Sequence, residues 1–426
     1  MIKKIALIFT CWLTACAGAN AQQLTLEECY RLAKANYPVI QKMDLITRSG
    51  EYDIQNVQKR YLPQVNFSGQ ATYQSQTVSF SDAMGALPAG IQLPSVSKDQ
   101  YRIQGEVSQL LYDGGSTRHQ QELIQAGTEL QKQSLETSLY AINSRINGIF
   151  FSILLMDAQL RQNELNKANL QTQVQKTEAA LENGVAFRSN LDELKAEIVN
   201  IDMAGTEYRA NRTAFLKMLS LFTGKELSEA TQLAVPEARS TDNTINRPEL
   251  KAFDLQKSVY DVQKKDLKSG YMPQISAFLQ GAYGRPTLNI IENKFGPWYV
   301  AGIRMSWSLG SLYTLSNRRN TLLLNQRTVE ADRETFLFNT RLDLIQQDEN
   351  IKKYADLIRR DEEAIALRST VTRSAEAQLS NGVITTHEYI QKVNAEHLAR
   401  QNKIVHEIQL LQARYNQKFI TGKTEQ

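Results

Sequence analysis

The chain has 426 residues, of which 49 are Lys or Arg, 45 are Asp or Glu and three are Cys. Discounting Lys3 and Lys4 leaves 47 basic residues (49 − 2) against 45 acidic ones, a balance that gives no reason to expect nucleic acid or a strongly anionic partner. Past the first residues no stretch approaches the ~20 apolar residues of a membrane helix; the longest apolar run is Phe150–Met156, and Cys29 alone remains, which excludes an intrachain disulfide.

Residues 1–21 read as an export signal, with Lys3 and Lys4 as the positive region, Ile5 to Ala15 as the apolar core and Ala19-Asn20-Ala21 as a small-residue cleavage site. Leu13-Thr14-Ala15-Cys16 also has the form of a lipoprotein processing site, which would remove 1–15 and lipidate Cys16. Either route takes the chain out of the cytoplasm. The mature chain then predicts a helix, capped by Thr25 with Glu28 reaching back. Pro38 breaks or kinks it before a second segment runs towards Arg60.

At Val65 the period changes to two. Val65, Phe67, Ala71 and Tyr73 alternate with Asn66, Ser68, Gln70, Thr72 and Gln74. In Gln100–Tyr112, Tyr101, Ile103, Val107 and Leu111 oppose Arg102, Gln104, Glu106 and Ser108. Ile275, Ala277, Leu279 and Tyr283 then alternate with Ser276, Phe278 and Gln280, and Tyr299 to Trp307 alternates with Val300, Gly302, Arg304, Ser306 and Ser308. Runs of about ten residues with one apolar face, aromatic flanks and charge on the other face are the pattern of transmembrane β-strands. A pair of amphipathic hairpins on a soluble core is the alternative, but a soluble sheet needs a second apolar layer, and the rest of the chain supplies helices.

After each hairpin, over about 65–112 and 275–309, the pattern turns helical. Ser116–Glu182 contains no proline and at ~1.5 Å per residue would span roughly 100 Å. Leu135, Leu139, Ile142, Ile146, Ile149 and Ile153 form a heptad seam along it. In Leu315–Ser380, Leu344, Ile351, Ile358, Ile365 and Leu379 recur at sevens, with Thr372 in the missing step. Asn183-Gly184 and Asn381-Gly382 stop these helices as left-handed caps, and shorter helices return over Leu191–Phe222 and His387–Phe419. Pro236 to Pro248 joins the two halves, and a helix restarts there towards Ser269.

The halves repeat. Tyr61-Leu62-Pro63-Gln64 recurs as Tyr271-Met272-Pro273-Gln274 at an offset of 210 (271 − 61), and Asn183-Gly184-Val185 recurs as Asn381-Gly382-Val383 at an offset of 198 (381 − 183). The shortening falls between the motifs, where the first copy carries the longer loop Ser79–Ser97. Two structural repeats are therefore expected, 22–240 and 241–426. A return helix and the helix leading into the next hairpin together nearly match one long helix, so each long helix can be backed end to end by two short ones. Four membrane strands cannot close a barrel, because an open edge in lipid leaves backbone groups unsatisfied. Oligomerisation is then obligatory, with a dimer giving eight strands and a trimer twelve.

The Tyr-x-Pro-Gln motifs, Leu110-Leu111-Tyr112-Asp113-Gly114-Gly115 and the two Asn-Gly-Val tips, in duplicate and in order over essentially all of the mature chain, resemble the TolC-like outer-membrane efflux channel family. The resemblance implies a mainly helical chain with membrane hairpins. It further implies a homotrimer, with a twelve-stranded β-barrel in outer-membrane lipid and an α-helical barrel in the periplasm, docked to a periplasmic adaptor and an inner-membrane pump. It implies that acidic residues after the second tip ring the closed periplasmic end. Glu388 falls on the first such position, Gln391 occupies the second, and Ile384 stands where the family's latch arginine would be, so an ionic latch of the usual form is absent. In the first repeat Asn190 stands where an acid would partner it, with Arg188 and Asp192 near enough to substitute. Three copies of Glu388 around an axis would favour cations. The tip residues Asn183, Gly184, Asn381 and Gly382 are the positions expected to meet an adaptor.

No enzyme motif, cofactor cradle or metal set is apparent: His387, His397 and His406 do not share a helix face, and no P-loop or Ser-His-Asp order occurs. The expected function is a passive outer-membrane exit duct of a tripartite efflux system. The alternatives are the exit duct of type I protein secretion, metal-cation efflux, and a periplasmic coiled-coil tether without a pore.

Overall fold

The computed structural model describes residues 23–77, 96–237, 243–289 and 292–423. The expected signal (1–21, or 1–15 with Cys16 lipidated), most of Ser79–Ser97 and part of the Pro236–Pro248 connector lie outside them. The helices are α1 (Leu26–Asn36), α2 (Lys42–Gln58), α3 (Ser116–Glu182), α4 (Arg188–Thr223), α5 (Pro248–Ser269), α6 (Leu312–Ser380) and α7 (Thr386–Thr421); the strands are β1 (Gln64–Tyr73), β2 (Asp99–Tyr112), β3 (Gln274–Arg285) and β4 (Gly296–Ser306). Thr25 caps α1, its side chain accepting from the Glu28 N–H at 3.2 Å. Pro38 interrupts the helical run with a 3-10 turn over Pro38–Gln41.

The chain divides into two compact units. One, residues 42–133 and 251–333, holds an antiparallel sheet in the order β1-β2-β3-β4, so that β1 and β4 are its edges. Its register puts Val65, Val107, Leu279 and Ala301 in one row and Glu106 and Gln280 in the next, on the opposite face. The apolar face lies open: Phe67 is 82% exposed and Ile303 73%, with Tyr73, Ile103, Tyr283 and Tyr299 also exposed. On the polar face Arg304 pairs with Glu106 at 3.3 Å. A single sheet with one bare apolar face and, among the described residues, no apolar layer over it is the pattern the alternation predicts.

Two of the sequence motifs meet at the base of this sheet. Asp113 turns the chain from β2 into α3: its carboxylate accepts from the Gly115 N–H at 3.0 Å and the Thr117 N–H at 2.7 Å, and the Tyr61 hydroxyl donates to it at 3.1 Å. Gly114 has φ 69°, and a Cβ there would collide with Met272. Thus Tyr-x-Pro-Gln and Asp-Gly-Gly are two halves of one joint. Burial works against the Asp113 charge, but the hydrogen bonds from Thr117, Gly115 and Tyr61 hold its carboxyl below the usual range. A depressed folded value means that this stabilisation is complete above the unfolded carboxyl value of about 3.9 and is lost as pH falls through the folded one. We expect Asp113→Asn to destabilise the protein by roughly 1.5–3 kcal/mol near neutral pH and to flatten its acid unfolding curve. An unchanged acid limb in a pH series of denaturant melts would show that the joint does not depend on the charge.

The other unit, residues 1–41, 134–250 and 334–426, is helical. The α3 seam is buried throughout, from Leu135 to Ile153, and Phe150 and Phe151 are almost completely enclosed. α1 lays Leu26, Cys29, Tyr30 and Ala33 into the core, and the Tyr30 hydroxyl donates to Asn147 of α3. Among the described residues one helix, α3, contains an apolar window long enough to cross a membrane, contrary to the expectation that no stretch comes close; 61% of that window is buried in the protein, which makes it core. The α6 seam differs: Leu344 is buried, but Ile351, Ile358 and Ile365 are half-buried, and Phe338, Leu342, Ile345 and Leu367 of the same helix are exposed. The second long helix carries more apolar surface than one chain covers.

The two helix ends that return to this unit are docked alike. Gly224 closes α4 at φ 66° against Asn36, whose side-chain amide donates to the Leu221 and Phe222 carbonyls at 3.1 and 3.2 Å. Gly422 closes α7 at φ 87°, where the Asn246 N–H donates to the Thr421 carbonyl at 2.7 Å and a Cβ would collide with the Asn246 backbone. Gly382 is also left-handed but opens onto free space. Gly382→Ala should therefore cost about 1–2 kcal/mol of backbone strain alone, and Gly422→Ala clearly more, because the docked backbone must also shift. Equal melting losses in the two variants would refute the close approach at Gly422.

Candidate functional site

The turns at the far ends of α3 and α6 are the same object built twice. In the first, the Val185 N–H donates to the Ala180 carbonyl at 2.9 Å and the Gly184 N–H to Leu181 at 3.0 Å; in the second, Val383 donates to Gln378 at 2.8 Å and Gly382 to Leu379 at 3.0 Å. Each is a 6→1 and 5→2 pair closing a helix on a left-handed residue, Gly184 at φ 73° and Gly382 at φ 70°. The preceding asparagines repeat the match, Asn183 donating to the Ala179 carbonyl at 2.7 Å and Asn381 to Ala377 at 2.8 Å. Each tip also carries exposed apolar side chains, Val185 and Phe187 in the first and Val383 in the second.

Just behind the tips, four helices from both repeats share one core: Leu170 of α3, Leu194 and Ile201 of α4, Ala375 of α6, and Tyr389, Ile390 and Val393 of α7. Ile384 packs against this cluster. The position that resembles a latch arginine therefore contributes apolar packing. A polar contact between the repeats sits beside it. His387 of α7 places Nδ1 2.8 Å from the Glu193 carboxylate of α4 and Nε2 2.9 Å from the Gln391 side-chain amide, which fits an imidazole with its proton on Nδ1. Further along, the Asn394 amide donates to Glu197 at 3.0 Å. Two ties between α4 and α7 thus flank the apolar cluster.

The residues singled out in the sequence fall around this junction with different roles. Glu388 is exposed and folded back on its own helix start: its carboxylate accepts from the Thr385 N–H at 2.8 Å while its N–H donates to the Thr385 hydroxyl at 3.2 Å, a complete capping box. The Thr385 backbone and hydroxyl bonds hold its carboxyl below the usual range, so it stays ionised. It borders an open groove of about 330 Å³ between α6 and α7, lined also by Ile384, Gln391, Lys392, Val371 and Ser374. Arg188 and Asp192 pair with each other along α4 at 3.3 Å, and neither reaches α7. Asn190 is half-buried at the start of α4. Cys16 lies outside the described residues. The Glu193–His387 tie leaves no mark in the sequence, where His387 stands out only as a potential metal-ligand type. The other α7 histidines have separate surroundings: His406 Nδ1 lies 2.6 Å from Asp361, and burial lowers the His397 value.

A model of the outer membrane efflux protein family matches residues 29–225. No curated protein matches the sequence. Among solved structures the chain is similar to CusC, described for its transmembrane channel formation, at 12% identity and a TM-score of 0.67, covering 92% of this chain and 91% of that one. It is similar to VceC, an outer membrane protein of Vibrio cholerae, at 10% identity and 0.67, covering 94% and 97%. It is also similar to the MtrE outer membrane channel of Neisseria gonorrhoeae in its open state, at 12% identity and 0.65, covering 94% and 89%. At these identities the likeness is one of fold, and over nine-tenths of its length the chain has the fold of these proteins: long helices, duplicated, with a four-stranded antiparallel sheet.

Proposed function

Residues 29–225 carry the pattern of the outer membrane efflux protein family, and from that premise we propose that this chain is the outer-membrane exit channel of a tripartite efflux system. It is a passive conduit and performs no chemistry on its cargo. The sheet lies in the outer membrane and the helical repeats in the periplasm. The observation that carries this reading is the sheet itself, with an exposed apolar face, a polar opposite face and two open edges. In lipid such edges must be paired. Three copies, each giving four strands, close a twelve-stranded barrel with the polar face inward, and the uncovered apolar residues of α6 are then met by neighbouring copies.

At the periplasmic end, the junction of α4 and α7 behind the tips forms the closure. Ile384 and its cluster, with the Glu193–His387 tie and Gln391, do in this chain what an ionic latch does elsewhere, and three Glu388 carboxylates make the constriction cation-favouring. Arg188, Asp192 and Asn190 line the approach. The paired tips Asn183-Gly184 and Asn381-Gly382 present Val185, Phe187 and Val383 to a periplasmic adaptor.

In-cell cross-linking followed by purification of the full chain tests the assembly. A trimer that brings down an adaptor and a proton-driven pump supports the efflux reading. An ATP-driven exporter in the pump's place would shift it to type I secretion. A monomer or dimer away from the outer membrane would overturn the channel and leave a periplasmic tether.

A further inference from the structure

Near the outward end of the sheet, the register places Gln70, Arg102, Gly284 and Gly296 in one row on the polar face. The two glycines leave the wall beside Arg102 without side chains. Gly284 is held to glycine by its neighbours, since a Cβ there would collide with the Tyr101 carbonyl. The next row on the same face ends in Trp298, opposite Ala282. Beside this row lies a hollow of about 220 Å³, lined by Gln70, Thr72, Arg102, Trp298 and the turn after β3.

The charges around this hollow are unequal. Arg304 is neutralised by Glu106, and Arg285 by Asp99. Arg102 donates to the neutral Gln70 side chain at 2.9 Å, and no carboxylate among the described residues pairs with it. The Trp298 indole N–H is buried and lacks an acceptor among the described residues. A guanidinium fork and an aromatic side chain therefore border one cavity. Carboxylate or phosphate oxygens satisfy the Arg102 guanidinium, and a flat apolar body lies on the indole. From this geometry we infer that the hollow is a binding subsite for an aromatic organic anion, met by cargo on its way out. The passage of cargo rests on the channel reading; the binding does not.

Trp298 reports on its own site. The sequence holds Trp12, Trp298 and Trp307, so Trp307→Phe leaves Trp298 alone in a chain shortened by its signal. In the detergent-purified full protein, 4-nitrobenzoate should quench Trp298 saturably and bind about tenfold or more tightly than the neutral 4-nitrobenzyl alcohol. Arg102→Gln should abolish that difference. Gln70→Asp, which keeps Arg102 but gives it a resident carboxylate, should weaken 4-nitrobenzoate to the same degree and stands in if Arg102→Gln does not fold. Equal quenching by acid and alcohol, or undiminished binding in both variants, overturns the site. Planar-bilayer conductance of the same preparations separates the two readings: a protein that binds 4-nitrobenzoate but passes no current keeps the subsite and loses the channel.

Discussion

Leu279→Arg should abolish assembly in the outer membrane, while Gln280→Arg, one residue along the same strand, should assemble normally. Leu279 sits midway along β3 on the apolar face, in a row with Val65, Val107 and Ala301, and is exposed. An arginine facing lipid at mid-depth of a barrel costs about 2–4 kcal/mol, so three copies put roughly 6–12 kcal/mol against the trimer. Gln280 points the other way and lies opposite Glu106 on β2. A new arginine there meets water and an acid. The detergent-resistant oligomer in the outer-membrane fraction is the readout. If both variants assemble equally, the two-faced barrel is wrong; if both fail, the sheet is merely intolerant of bulk in this strand.

Bridging the two repeats behind the tips should hold the channel shut. A chain carrying Glu193→Cys and His387→Cys, joined by a short cleavable bismaleimide, should lose nearly all partner-driven export and regain it when the linker is cut. Without the linker the same pair should open more readily. That effect is small, since an exposed pair contributes only about 0–1 kcal/mol and the two side chains are 64% and 37% exposed. The covalent bridge acts through geometry and needs no such contribution. Full export from the bridged chain would mean that α4 and α7 stay together when the duct opens, and that the closure lies elsewhere.

The repeat was legible further than the quoted motifs take it. Asn36-Tyr37-Pro38 recurs as Asn246-Arg247-Pro248 at the same offset of 210 (246 − 36), and Thr223-Gly224-Lys225 recurs as Thr421-Gly422-Lys423 at the same 198 (422 − 224). These four segments are the docked helix ends, where each Asn region receives the left-handed glycine of a returning helix. The strands were legible because lipid and water impose a strict period of two, and the long helices because only Gly and Asn stop them. The Glu193–His387 tie was not legible: the two residues lie on different helices of different repeats, and neither position is special by type or spacing. The hollow beside Arg102 was hidden for a related reason, since four strands must be put in register before two glycines and one arginine fall into a row. Ile384 shows the limit of motif transfer. Where the resemblance puts a latch arginine, this chain has a side chain that packs against an apolar cluster.

Cys29 lies wholly inside the core on α1, and burial, then Glu28 and Glu27, push its thiol up to about 12. Almost none of it is thiolate at neutral pH, and the thiolate is the reactive form. In an oxidising compartment Cys29 is therefore spared sulfur scrambling. For the experimenter, dyes, spin labels and bridging reagents will pass Cys29 by and find cysteines placed on the surface.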